Sequence, residues 1–306
     1  MNIALLLEMA AEAAPDRVAL VCEGKRWTYG DLLAAARGAF ELIRQSDAQY
    51  VALLDESSEA AVIAVFGAAL AGVPYCPLNY RLPDADLAAL LGRIAPALVI
   101  GDEERITRIA GGQGHTVLAR EDFALKAQET VPAEDAREYD PGEGIAIQLF
   151  TSGTTAAPKA AVLRHRHLTS YVIGTVEFGG AAGDDAVLVS VPPYHIAGLA
   201  NLLSNLYSGR RVVYLRQFDA EGWVEAVRAN AITHAMVVPT MLAEGEDAAE
   251  NATLDESIGD AALMGKRYAD EELGLEVLCT RSGSGALTVD GNVLSLKGAK
   301  PLPASD

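Results

Sequence analysis

Three features of this 306-residue sequence predict an α/β protein built mainly of parallel sheets sandwiched by helices. Short, continuous apolar runs recur along the first 240 residues, as expected of strands covered on both faces. Segments long enough for crossover helices separate them. Half of the residues are apolar, so a chain of this length can bury a sizeable core.

Val18–Cys22 reads as the first strand. Thr28 then caps a helix opening at Trp27–Asp31, with Asp31 three residues on to complete a capping box. Tyr50–Leu54 is strand, Glu59–Ala71 helix, Pro74–Leu78 strand, Asp84–Ile94 helix and Ala97–Ile100 strand. Residues 120–144 form a loop-rich acidic stretch. The alternation resumes with strands at Ile145–Phe150, Ala186–Val191, Arg211–Leu215 and Thr233–Val238. A change of composition places a boundary after residue 242. Residues 243–306 read as an acidic linker and a short tail, with a helix at Tyr268–Leu273 and strand-like pieces at Leu275–Thr280 and Ala286–Ser295.

Forty-two acidic against twenty-four basic residues give a net charge of -18, which argues against nucleic acid and anionic lipid as partners. A polyanionic ligand must be held by a local exception. Cys22, Cys76 and Cys279 are odd in number and widely spaced, favouring neither disulfides nor zinc and fitting a reducing cytoplasm. The longest apolar run, residues 60–76, contains Gly67, Gly72 and Pro74 and falls short of a membrane span. No signal-peptide pattern opens the chain.

The stretch "LFTSGTTAAPK" places four hydroxyls, a glycine and a lysine within residues 151–159, directly behind an apolar strand. Such a loop presents backbone N–H groups and hydroxyl donors at the carboxyl edge of a sheet, where open α/β sheets bind ligands. A Walker-type loop fails on inspection. Pro158 occupies the second glycine position and lacks an N–H, and Ala160 replaces the metal-binding hydroxyl. The alternative is a plain surface loop. His165 and His167, two apart, would share one face of a strand, but no carboxylate or cysteine accompanies them as a metal site requires. With Lys159, Arg164 and Arg166 they form the densest basic run, either attracting a nucleotide or ending a solvated strand. Ser282–Gly285 reads as a turn.

The same residues carry a resemblance. "LFTSGTTAAPKAAV" resembles the signature loop of the adenylate-forming superfamily of acyl-CoA synthetases, peptide-synthetase adenylation domains and luciferases, Y/F-T-S-G-T-T-G-x-P-K-G-V. His165 and Leu168 fall where that family has a histidine and a leucine. "VPPYHIAGLANLLSNLYSGRRVV" resembles its P-x-x-H-x-x-G segment, and "AGVPYCPLN" its A-G-x-x-x-x-P-L segment. With "RWTYGDL" and "ITHAMVVPTML" these span residues 1–242 in the family's order. Ala156 and Ala160 depart from its glycines, at about 1–2 kcal/mol wherever positive φ is required.

The resemblance implies a large N-terminal domain of the acyl-CoA synthetase-like type. It implies ATP with Mg2+ as cofactors, a small-molecule carboxylic acid as substrate, and coenzyme A or a carrier thiol as acceptor. By it, Thr151, Ser152, Gly153, Thr154 and Thr155 wrap the β and γ phosphates and Lys159 offsets their charge. His195 lies on the acyl side, near the carboxylate or lining the acid pocket, unless it merely terminates a strand. Gly198 shapes the pocket wall or lets the following helix pack closely. No residue is assigned to metal. The family's Y-G-x-T-E and T-G-D segments and its C-terminal lysine domain have no match in the chain. Three readings therefore compete: a minimal enzyme, a fragment completed by a homo-oligomer or complementing chain, and a binding homologue without catalysis.

Overall fold

The computed structural model describes residues 1–131, 142–151, 158–237, 259–270, 272, 275–279, 285–289 and 292–297. Two sheets organise the chain. Six strands line up as β6-β5-β3-β4-β7-β8, where β3 is Tyr50–Leu54, β4 Tyr75–Pro77, β5 Ala97–Gly101, β6 Thr116–Ala119, β7 Ile145–Thr151 and β8 Lys159–Arg164. All neighbours pair in parallel except β7 with β8.

The second sheet runs β16-β12-β13-β11-β9-β10-β1-β2. Here β1 is Val18–Cys22, β2 Lys25–Thr28, β9 Ala186–Val189, β10 Arg211–Tyr214, β11 His234–Val237, β12 Arg267–Asp270, β13 Leu275–Cys279 and β16 Ser295–Leu296. Its inner run, β1-β10-β9-β11-β13, is parallel, and its flanks are antiparallel.

Helices fill the space between the sheets. α1 (Ala4–Ala13), α2 (Tyr29–Gln45), α3 (Glu59–Ala71), α6 (Arg120–Glu129), α7 (His165–Thr175) and α8 (Ile196–Tyr207) share one core with the inner faces of both sheets. α3 is buried from Ala60 to Leu70, which is why it is apolar on every side rather than striped. Gly72 ends it in the left-handed conformation, φ 69°. α2 opens on the expected capping box, Asp31 N–H donating to Thr28 Oγ1 at 3.0 Å and Thr28 N–H to Asp31 Oδ2 at 3.0 Å. On the outer faces, α4 (Asp84–Gly92) and α5 (Glu103–Ala110) cover the six-stranded sheet, and α9 (Ala220–Ala229) packs on the eight-stranded one.

Most expected strands recur within a residue or two. Three expectations do not hold. Residues 120–129 form α6 rather than loop, because Phe123, Ala124 and Ala127 make a narrow apolar stripe buried against α2 and α3. Tyr268 lies in β12 rather than a helix, since the N–H and C=O groups of that acidic segment are satisfied by pairing with β13. Ala286–Ser295 is not one strand. β14 (Thr288–Val289) and β15 (Asn292–Val293) pair antiparallel with each other, and β16 then joins β12. The expected boundary after 242 and the turn at 282–284 lie outside the described residues.

Candidate functional site

β7 is a buried inner strand and β8 its antiparallel edge partner, so the two form a hairpin whose connection is residues 152–158. Ser152, Gly153, Thr154, Thr155 and Ala156 lie outside the described residues, but both ends of that connection are placed. Thr151 faces Lys159 in the strand register, and Thr151 Oγ1 donates a long bond of 3.4 Å to Lys159 O. Ala160 pairs with Phe150 as ordinary extended strand, so the glycine the family has there is not needed for positive φ.

Arg93, which sequence reasoning passed over, braces the hairpin. Its Nη1 donates to Pro158 O at 2.8 Å and its guanidinium lies 4.8 Å from the Phe150 ring centre. No motif marks it, because it acts from just beyond α4, far away in sequence.

The basic run resolves into separate tasks. Arg166 pairs with Glu143 at 2.8 Å, and Arg164 donates to the Glu143 carbonyl. The exposed Lys159 ammonium has no side-chain partner among the described residues. His165 and His167 sit on the first turn of α7 rather than on a strand, and they diverge. His165 is buried and its Nδ1 accepts from Ile3 N–H at 3.3 Å, whereas exposed His167 accepts from Arg164 N–H at 3.3 Å. Among the described residues no cluster of His, Cys, Asp or Glu has metal-holding geometry.

The second group lies on the other sheet. His195 is the residue before α8, its N–H bonded to Pro192 O at 3.1 Å and its carbonyl accepting from Gly198 N–H at 3.0 Å. Its imidazole is at the rim, 4.5 Å from the Tyr194 ring, and Tyr194 meets Tyr80 edge to face at 5.4 Å. Desolvation of the ring, and second the Arg81 charge, hold His195 below the usual histidine range, so it is neutral near pH 7. Gly198 is buried. A Cβ there would lie 3.1 Å from the carbonyl oxygens of both Val191 and Pro192, so glycine lets the first turn of α8 close on the preceding loop.

Below this turn, Val191, Gly198, Leu199, Leu202, Tyr75 and Tyr214 line a small, mostly apolar hollow between the two sheets. A roomier hollow is lined by Arg210, His234, Met236, Arg267 and Glu276, and none of the expected site residues borders it. Thr151 with Lys159, and His195 with Gly198, thus form two stations, and no hydrogen bond or ring contact joins them among the described residues.

A family model described as AMP-binding enzyme matches residues 7–290. The fatty acid–[acyl-carrier-protein] ligase ScoC of Streptomyces coeruleorubidus is 28% identical over 302 residues, 92% of this chain and 57% of that protein. The 2-succinylbenzoate–CoA ligase of Bacillus licheniformis is 29% identical over 240 residues, 77% of this chain and 49% of that protein. This chain spans about half the length of these relatives.

Among solved structures, the inhibitor-bound N-terminal domain of FACL13 from Mycobacterium tuberculosis aligns with TM-score 0.72 at 23% identity. That alignment covers 83% of this chain and 67% of that one. ATP-bound MatB from Rhodopseudomonas palustris aligns with TM-score 0.69 at 25% identity, covering 80% and 51%. Both sheets and their helices accordingly belong to the acyl-CoA synthetase-like architecture.

Proposed function

Because the chain belongs to the AMP-binding enzyme family, we propose that it activates a carboxylic acid with ATP. One carboxylate oxygen forms a bond to the α-phosphorus. The bond from that phosphorus to the bridging oxygen breaks, and pyrophosphate leaves with the electron pair. Charge grows on phosphate oxygens in this step, so the site needs fixed donors and cations more than a strong base.

Thr151, Ser152, Gly153, Thr154 and Thr155 supply the donors, and Lys159 the cation. The observation that carries the reading is that the exposed Lys159 ammonium, at the start of β8 in a hairpin that Arg93 braces, has no side-chain partner among the described residues. His195, neutral at pH 7, orients the acid beside the first turn of α8, whose apolar residues point to a small or medium apolar acid. ATP brings Mg2+ with its phosphates. The described residues offer no cluster to hold the metal, so no step is assigned to it. Transfer of the acyl group to a thiol, coenzyme A or a carrier, would follow, with the adenylate's acyl–oxygen bond breaking as AMP departs. Cys22 and Cys76, buried as thiols, agree with a reducing cytoplasm.

A second reading is a non-catalytic nucleotide- or acyl-binding homologue, or a fragment that needs a partner chain for turnover. ATP–pyrophosphate exchange over a panel of acids tests both. Exchange in the wild type that falls at least a hundredfold in Lys159→Ala, as loss of a cation from such a transition state predicts, supports the enzyme. ATP binding without exchange supports the second reading, and no ATP binding removes both.

A further inference from the structure

The residues following β4 on one sheet and β9 on the other meet through the Tyr80–Tyr194 contact. Asn79 Oδ1 accepts the Arg81 N–H at 3.0 Å and fixes that turn. The Arg81 guanidinium lies 5.8 Å from the Tyr80 ring centre, and Tyr80, Tyr194 and His195 continue as a row of contacting rings across the gap between the sheets. Arg81 is exposed and, among the described residues, has no acidic partner, in a protein of net charge -18. Arg105, Arg108, Arg120 and Arg216 all pair with carboxylates.

A guanidinium lying against an aromatic ring keeps its edge donors outward in a planar fork, the geometry that takes a carboxylate in two parallel bonds. The row that begins at this guanidinium ends on His195, and the Arg81 charge is felt there.

We propose that Arg81 is a substrate-binding residue that holds the carboxylate of the acid against His195, so the acid is gripped from both sheets at once. This rests on the adenylation reading for the identity of the anion, but not on turnover. It gives the acid's reactive end a fixed place before it meets the nucleotide, a positioning contribution of the kind that lowers the barrier without any change of charge.

The full chain tests it by NMR, following the His195 ring proton while benzoate, butanoate and, as neutral controls, benzamide and butanamide are added at fixed pH. Wild type should show a saturable shift with an acid and a weaker one with its amide. Arg81→Gln should bind that acid at least tenfold more weakly with amide binding unchanged, and Arg81→Lys should restore part of the loss. Because the side chain is exposed, the variants are expected to keep the wild-type melting temperature. No response of His195 to either acid in wild type, or equal acid affinity in Arg81→Gln, overturns the proposal. So does a loss seen equally for acid and amide. Failure of pyrophosphate exchange with acid binding intact would count against adenylation and leave Arg81 in place.

Discussion

His165 shows how a single residue can serve the hairpin without touching a ligand. Its ring accepts the backbone N–H of Ile3, 162 positions away, while the His165 backbone N–H donates to Gly144 O at 3.2 Å and the His165 carbonyl accepts from Thr169 Oγ1 at 3.1 Å. The amino-terminal segment, the start of β7 and the end of β8 are thereby tied at one buried point. Replacing His165 by Leu leaves the Ile3 N–H buried without an acceptor. It should lower stability by about 1–3 kcal/mol, read as a lower urea midpoint at unchanged slope, while Asn at that position, which keeps an acceptor, should recover part of it. The histidine and its partner were invisible to each other in sequence. "LRHRHL" marked His165 by resemblance alone, and only the fold brings Ile3 to it.

Among the elements, two helical glycines separate local preference from packing. A Cβ on Gly38 of α2 would lie 1.9 Å from the carbonyl oxygen of Ala127, so α2 and α6 cross with backbone nearly touching backbone. Helix propensity favours alanine by about 1 kcal/mol, but a contact that short against backbone cannot relax cheaply. Gly38→Ala should therefore be destabilising by about 2 kcal/mol. Gly174 in α7 has nothing within 4 Å of its Cβ position, and Gly174→Ala should stabilise by a few tenths to about 1 kcal/mol. Thermal melts of the two variants should move in opposite directions. The stripe that made α6 hard to read is the other side of the same contact. Three apolar residues in an acidic segment suffice for a helix when its neighbour offers a glycine groove.

At the scale of the molecule, burial sets how stability depends on pH. His115, His195 and His234 are each held below the usual histidine value, desolvation being the largest cause in all three. The unfolded chain then binds more protons than the native one below about pH 6.5, so stability falls as pH drops through that value. Glu276 adds a second loss at lower pH. Its own burial is outweighed by Lys297 and Arg267, which hold it down to about 2, so its contribution is present above the ordinary carboxylate value and disappears as pH falls toward 2. On the alkaline side, burial pushes the Cys22 and Cys76 thiols up from 9.0 to about 12, and that stability is lost as pH rises past 9. Melting temperature measured across the range should show a plateau between about pH 6.5 and 9 with a fall on both sides. A maximum near pH 5 would contradict it.

What the sequence by itself determined is whatever depends on neighbours along the chain. The strands of alternating α/β type, the Thr28–Asp31 cap, the buried α3 and the threonine-rich segment before Lys159 are all of this kind. Apolar periodicity, capping chemistry and loop composition are local, and each was readable before any contact was known. The tertiary structure alone decided which cations have no acidic partner among the described residues, that β12 is strand, and that Arg93 braces the hairpin. It alone linked Arg81 to His195 through the Tyr80 and Tyr194 rings. Those outcomes arise where residues from separate β–α units converge at the carboxyl edges of two sheets. Pairing, desolvation and charge are properties of such meetings in space, and no linear spacing encodes them.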